Sequence, residues 1–457
     1  MRFDAIILGA GQAGIPLAQR LAKAGREVLL VERAEVGGTC INYGCTPTKT
    51  MVASARAAHV ARTAGRLGIH ADAVRVDFPA VVARKDAIVR RWREGLQRRL
   101  ASAGDRLRLV SDHARFVGDR EIEIAGARHR GDVVVINVGG RPDPPRVEGI
   151  ASVAWLDNHR IMELRQLPSH LVVLGGGYIG CEFAQMFRRF GSVVTIIQRG
   201  PHLLDREDPE VSEAIEGVFR AEGIELLLGT RVARAFNSSE GGVGVALEGG
   251  GQVVGSHLLA AVGRKPNTDD LGCDAGGIRL DGKGYVEVDD HYRTSAAGVY
   301  AVGDVVGGPQ FTHTSWDDHR ILFDVLEGRA VRGRSGRVVP HVVFTDPQVA
   351  GVGLNEREAR ERGIRHDVAT MPFGDVARAI ELDETAGTMK VLVDPETERI
   401  LGVSLVGAEA GELVHVFAVM MQGGTRARAI VDAEIAHPTF AEGLQSLVMK
   451  LPRYALR

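Results

Sequence analysis

Two copies of one local pattern, a strand, a GxGxxG turn, a helix and a second strand, constrain this chain more than any other feature. The first copy runs from the apolar Ile6-Ile7-Leu8 through Gly9-Ala10-Gly11-Gln12-Ala13-Gly14 into a helical stretch, Ile15 to Ala24. A strand from Val28 to Val31 follows and ends at Glu32. The second runs from Leu171-Val172-Val173-Leu174 through Gly175-Gly176-Gly177-Tyr178-Ile179-Gly180 into a helix, Cys181 to Phe190, and a strand, Val193 to Ile197, that ends on Gln198-Arg199. In such a unit the first glycine permits the turn, the second lets backbone N–H groups reach a pyrophosphate, and the third lets helix pack closely on strand. Repeated strand–helix alternation implies an α/β fold with two parallel-sheet, Rossmann-like dinucleotide-binding domains. Glu32 stands about 18 positions after Gly14, the spacing of a carboxylate that accepts from ribose hydroxyls. In the second copy that acid is missing, and Arg199 beside Gln198 offers a positive charge for a 2'-phosphate, so NADPH is expected there in preference to NADH.

Between the two units, Gly37-Gly38-Thr39 leads into Cys40-Ile41-Asn42-Tyr43-Gly44-Cys45, and Thr46-Pro47-Thr48-Lys49 leads out toward an Ala-rich helix. Five positions along a regular helix separate Cα atoms by about 8 to 9 Å, beyond the roughly 4.4 to 6.8 Å of a disulfide. A redox bridge between these cysteines therefore requires an irregular backbone, which Gly44 and Pro47 can supply. The alternatives are two small buried apolar side chains or half a zinc site, but no Cys or His pair at metal spacing follows, so no metal site is expected. Two nucleotide sites flanking a dithiol imply a relay from a nicotinamide to a second cofactor able to reduce sulfur, a role that suits a flavin.

The rest of the composition mostly excludes. A chain of 457 residues suggests two to four domains. Lys+Arg 56 against Asp+Glu 58 leaves a net charge of −2, which gives no broad reason to expect nucleic acid or acidic lipid. No apolar run reaches membrane-spanning length. The Arg-rich stretch Arg84 to Arg99 reads as an amphipathic helix with a solvated basic face. Only four cysteines occur, at 40, 45, 181 and 273, and no secretory signal precedes the first strand, so a reducing cytoplasm is the expected location.

With these motifs in order and Ala301-Val302-Gly303-Asp304 beyond them, the chain resembles, from end to end, the class I flavoprotein disulfide reductases. The resemblance implies an α/β fold of FAD and NAD(P) domains with a C-terminal α+β dimerisation domain. An FAD domain would span residues 1–145 and 265–335, an NAD(P) domain 146–264, and a dimerisation domain 336–457. That last domain would open at Pro340 to Pro347 and carry strands Met389 to Val393 and Ile400 to Val406, then a helix from Glu412 to Gln422. By matching position, Cys45 would face the flavin and Cys40 the substrate. His437, in His437-Pro438-Thr439-Phe440-Ala441-Glu442, would act as base across a homodimer, oriented by Glu442. FAD would be held by Gly9, Gly11, Gly14, Glu32, Gly38, Thr39, Lys49, Gly139, Asp304 and His313, and Gly263, at the end of the NAD(P) span, would be a further cofactor-binding position. NADPH, with NADH possible, would be held by Gly175, Gly177, Gly180, Gln198 and Arg199. Lys49 and Glu182 would pair near the flavin, and Tyr178 would cover it until the nicotinamide displaces the ring.

The acceptor is less constrained. No cysteine follows Cys273, so a mercuric-reductase-type relay through a C-terminal pair is not expected, and the single dithiol must meet its oxidant directly. Dihydrolipoamide dehydrogenases generally have an acid where Gln198 stands. Phe311 to Arg320 is similar to a mercuric-reductase-like branch that includes a reactive-chlorine-resistance reductase. The resulting expectation is an FAD-dependent, NAD(P)H-driven oxidoreductase acting on a metal ion, small disulfide or other thiol-reactive acceptor. Dihydrolipoamide dehydrogenase and a flavin-containing redox sensor are the alternatives.

Overall fold

The computed structural model describes residues 1–239, 241–329 and 331–455; positions 240, 330, 456 and 457, which fall within the expected spans 146–264, 265–335 and 336–457, lie outside the described residues. The mixed α/β chain divides into two compact units. One comprises Met1–Thr50, Ala83–Asp143 and Gly263–Arg337, the other Met51–Val82, Pro144–Val262 and Val338–Arg457.

The first unit is built on a largely parallel sheet. Strands Leu107–Ser111, β2 (Val28–Glu32), β1 (Arg2–Leu8) and Ala127–Ile136 lie side by side, and Val299–Ala301 pairs in parallel with the last of them. The apolar run of β1 does not alternate with polar residues because both faces of the sheet are covered. Ala5 and Ile7 pack in one core with Leu17 and Leu21 of helix α1 (Gly14–Lys23), while Ile6 and Leu8 pack in another with Val134, Ile136 and Val299.

The second unit contains a parallel sheet in the order Glu225–Leu227, Val193–Ile197, His170–Leu174, His257–Ala260 and Trp155–Leu156. It also contains a five-stranded antiparallel sheet in which Thr388–Val393 lies between Ile400–Gly407 and Asp367–Pro372. Helices Ala410–Gln422 and Ala441–Met449 bring Val414, Phe417, Leu444 and Leu447 into one core with Val391, Val403 and Leu405. Among the described residues, no helix is long and apolar enough to cross a membrane.

Helix α4 (Phe78–Ala101) has the expected apolar stripe and exposed basic face, with Arg93 as an exception. Val89, Leu96 and Leu100 are buried, and Arg93 shares their stripe by helical spacing, so it points inward while Arg90, Arg91, Arg98 and Arg99 stay exposed.

Candidate active site

The cysteine segment lies directly on the first fingerprint. Gly37 and Gly38 have φ of 102° and 61°, and a Cβ on Gly38 would come within 2.9 Å of Gly11 Cα. Gly37 N donates to Ala10 O (2.8 Å), and Gln12 Nε2 donates to Gly37 O (3.1 Å). From this turn rises a short helix, α2 (Gly38–Asn42), carrying Thr39 and Cys40; the chain then breaks at Tyr43 and Gly44, and α3 (Cys45–Thr63) begins. The break depends on Gly44, whose Cβ would sit 2.9 Å from Thr39 O. Pro47 falls in the first turn of α3, where a missing N–H costs nothing.

The irregular backbone brings the two thiols together. Cys40 and Cys45 are unbridged thiols close enough to interact, and Cys45 Sγ lies 3.4 Å from Thr312 Oγ1 at the start of helix Thr312–Leu326. The hydrogen bond with Cys45, then burial, then repulsion from Cys45 push the Cys40 thiol well above its ordinary range. Thr312 and Lys49, one turn along α3, pull it down without prevailing. Thr312 was not among the expected site residues, although it adjoins His313, whose ring stacks on Phe311 at 5.2 Å.

A second unexpected group braces this segment. Asn42 is buried; its Nδ2 donates to Val36 O (3.1 Å) and Gly38 O (3.0 Å), and its Oδ1 accepts from Arg93 Nε (3.1 Å) and Nη2 (2.9 Å). Arg93 also pairs with Glu35 at 2.9 Å. The signal available in the sequence was the position of Arg93, four residues after Val89 and three before Leu96.

The residues of the first fingerprint fit a dinucleotide such as FAD. A Cβ on Gly9 would lie 2.2 Å from Asn137 O, and one on Gly14 would lie 2.1 Å from Gly9 O, so the turn admits no side chain. Helix α1 has Ala13 at its N-cap position and no side-chain cap, so its N-terminal end is open to an anion. Glu32 is held over the turn, accepting from Ala10 N (2.8 Å) and Ala34 N (2.9 Å). Gly139 and Gly263 have φ of 66° and 149°, with open space where a Cβ would project. Asp304 stands in the 3-10 turn Gly303–Val306. Burial raises its carboxyl, opposed by Arg264 at 3.8 Å. That turn is fixed by buried Asp318, which accepts from Gly303 N (2.8 Å) and pairs with Arg337 (2.7 Å).

The second fingerprint repeats this construction. A Cβ on Gly175 would lie 2.6 Å from Ala261 O and one on Gly180 2.0 Å from Gly175 O, while Gly177 faces open space. Helix Tyr178–Phe190 also begins without a side-chain cap. Buried Gln198 accepts from Gly176 N at 3.1 Å, and Arg199 is exposed, with no ion-pair partner among the described residues. Tyr178 stacks on His341, with ring centroids 5.8 Å apart, and donates to Glu207 (2.5 Å). Glu182 is buried and accepts from Phe344 N at 2.8 Å. Toward the C-terminus, His437 is 70% exposed, and its Nδ1 lies 2.8 Å from Glu442 Oε2. Asp208, Glu210 and Glu356 converge on the ammonium of Lys390.

The pyridine nucleotide-disulphide oxidoreductase family is matched over residues 3–318, and the dimerisation domain of that family over residues 339–448. A mercuric reductase from Lysinibacillus sphaericus is 34% identical over 445 residues, covering 97% of this chain and 81% of that one. A dihydrolipoyl dehydrogenase from Thermus scotoductus is 35% identical over 460 residues, covering 99% and 98%. Among solved structures, the Cu(II) complex of the HOCl-induced flavoprotein disulfide reductase RclA from Escherichia coli is similar with a TM-score of 0.90 at 34% identity, covering 98% of this chain and 99% of that one.

Proposed function

This chain belongs to the pyridine nucleotide-disulphide oxidoreductases, a family of flavin-dependent enzymes, and on that premise we propose that it passes electrons from NADPH through FAD to Cys40 and Cys45 and on to a soft metal ion or small disulfide. The observation that carries this reading is the close pair of thiols that the break at Gly44 brings together on the first fingerprint turn. FAD, when bound, supplies hydride acceptance from a nicotinamide and delivery of an electron pair to sulfur.

The chain's own residues bind and position. Gly9, Gly11 and Gly14 present N–H groups to the pyrophosphate and Glu32 accepts from the adenosine ribose. Gly38, Thr39, Lys49, Gly139, Asp304 and His313 complete that site, within an FAD domain of residues 1–145 and 265–335, and Gly263 is a cofactor-binding position at the end of the span 146–264. Gly175, Gly177 and Gly180 hold the second dinucleotide in a domain of residues 146–264. There Gln198 and the exposed charge of Arg199 favour a 2'-phosphate, and Tyr178 covers the nicotinamide position until displaced.

Cys45 faces the cofactor and Cys40 the acceptor. With a disulfide acceptor, the Cys40 thiolate attacks one sulfur and the other leaves as a thiolate. Cys45 then attacks Cys40, which closes the intrachain disulfide and frees the second product thiol. In one chain the Cys40 thiol is pushed up, so attack needs a base. His437 of a second copy, oriented by Glu442 in a homodimer formed through residues 336–457, takes that proton and returns it to the leaving thiolate.

The test is steady-state turnover of the purified protein with NADPH and NADH against Hg(II), Cu(II), glutathione disulfide, lipoamide and a quinone. Turnover with a metal ion or glutathione disulfide that is lost in Cys40→Ser is expected. Preference for lipoamide would favour the dihydrolipoamide dehydrogenase reading, and unchanged turnover of Cys40→Ser with every acceptor would overturn the dithiol route.

A further inference from the structure

We propose that Glu207 and His341 act as a latch on Tyr178, setting how readily the nicotinamide end of the second nucleotide site opens. This rests on the reading above in which Tyr178 must move aside for the nicotinamide. Three side chains close a small ring. The Tyr178 and His341 rings are nearly parallel, at 16°. The Tyr178 hydroxyl donates to Glu207 Oε1 at 2.5 Å, and His341 Nε2 lies 3.1 Å from the same oxygen. Burial pushes the Glu207 carboxyl up, but His341 and Tyr178 outweigh it and hold it below the usual range. Burial and the neighbouring Glu207 push the Tyr178 phenol up, so it stays a donor. Aromatic packing alone requires no buried carboxylate, whose desolvation is costly.

The two partners of Tyr178 are mounted firmly, whereas Tyr178 packs on the core from the very end of its helix. Asp208, next to Glu207, accepts from Glu356 N (3.0 Å), Arg357 N (3.1 Å) and Lys390 Nζ (3.1 Å). His341 stands on strand His341–Val343 in space left by Gly351, where a Cβ would come within 2.5 Å of its Cε1. Tyr178, by contrast, is the first residue of its helix, preceded by Gly177 with open space on its Cα. The Glu207 loop also hangs from the fingerprint turn through Glu207 N to Leu204 O and Leu204 N to Gly176 O, both 2.8 Å. Movement of Tyr178 therefore costs a hydrogen bond to a charged acceptor and a ring stack.

When a site must open before it binds, its apparent dissociation constant is the intrinsic value divided by the open fraction. Removing the latch should tighten nucleotide binding, by about tenfold for loss of one hydrogen bond to a charged group. The experiment is calorimetric titration of the oxidised holoenzyme with NADP⁺ and with NAD⁺, for wild type, Tyr178→Phe, His341→Leu and Tyr178→Ala. Both Tyr178→Phe and His341→Leu are expected to tighten binding of the two nucleotides equally, because the latch does not touch the 2'-phosphate end. Residues that merely hold the fold would weaken binding or leave it unchanged when replaced, and that result in Tyr178→Phe overturns the latch even if His341→Leu fails to fold. Wild-type affinity in Tyr178→Ala would instead show that Tyr178 does not cover the site, a failure of the underlying reading.

Discussion

Replacing Arg93 by Met should loosen the cysteine segment locally without unfolding the unit around it. Met keeps most of the packing volume on the buried stripe of α4 but removes both donors to Asn42 Oδ1, at 3.1 and 2.9 Å. Asn42 is only 8% exposed, so its oxygen loses those bonds with little water to replace them; a buried acceptor stranded in this way costs about 1 to 3 kcal/mol. The Arg93–Glu35 pair, with side chains 29% and 44% exposed, adds no more than about 0.5 kcal/mol. A total of about 2 kcal/mol raises the local opening equilibrium roughly 30-fold. Amide hydrogen exchange of the peptide spanning 36–45 measures it directly, with β1 and β2 as internal references. Arg93→Lys, which keeps the charge but not the fork, should fall between the two. Unchanged protection over 36–45, or protection lost equally in β1 and β2, would refute the brace.

Three further substitutions probe the cradles and the thiol. Gly14→Ala places a Cβ 2.1 Å from Gly9 O, so the first turn must shift, and the purified protein should carry little flavin by absorbance while retaining its circular dichroism. Arg199→Ala should raise the Michaelis constant for NADPH about tenfold while leaving that for NADH nearly unchanged, the expected loss of one charge-assisted phosphate contact. In reduced His437→Ala, alkylation of Cys40 should climb about tenfold per pH unit from 7 to 9 without a plateau, because the thiol is raised above its ordinary 9.0 and its thiolate is scarce throughout that range. A plateau below pH 8 in that variant would show that a group other than His437 activates Cys40.

The parts of the site that were legible in the sequence are those set by local backbone geometry. GxGxxG reports a turn that no side chain can enter, and Gly44 reports a helix break; both constraints act within a few residues and leave their mark on residue type. Thr312, Asn42 and Arg93 were not read, because each acts across a long sequence separation on a polar partner brought close by the fold. Arg93 was partly visible as a charged residue on an apolar stripe. An Arg-rich helix reads as a solvated face unless its positions are taken one by one, and among its arginines Arg93 lies in phase with Val89 and Leu96.

The two fingerprints differ most at the residue ending their second strand, and the structure separates its two jobs. Glu32 accepts from Ala10 N, and Gln198 accepts from Gly176 N, each taking the N–H of the second residue of its own turn. An acid and an amide perform that structural task equally well, because either presents a carbonyl-type oxygen at 2.8 to 3.1 Å. Turn geometry therefore does not explain why one site keeps a carboxylate and the other does not. What remains is charge. A carboxylate at Gln198 would repel a 2'-phosphate and would draw the exposed Arg199 toward itself, whereas a neutral amide leaves that guanidinium free for the ligand. Gln198→Glu should keep the acceptor for Gly176 N, at the cost of facing Asp205 where Gln198 Nε2 now lies 3.4 Å from its Oδ2, and cut NADPH affinity more than NADH affinity. Equal losses for the two nucleotides would mean that position 198 acts through the turn after all.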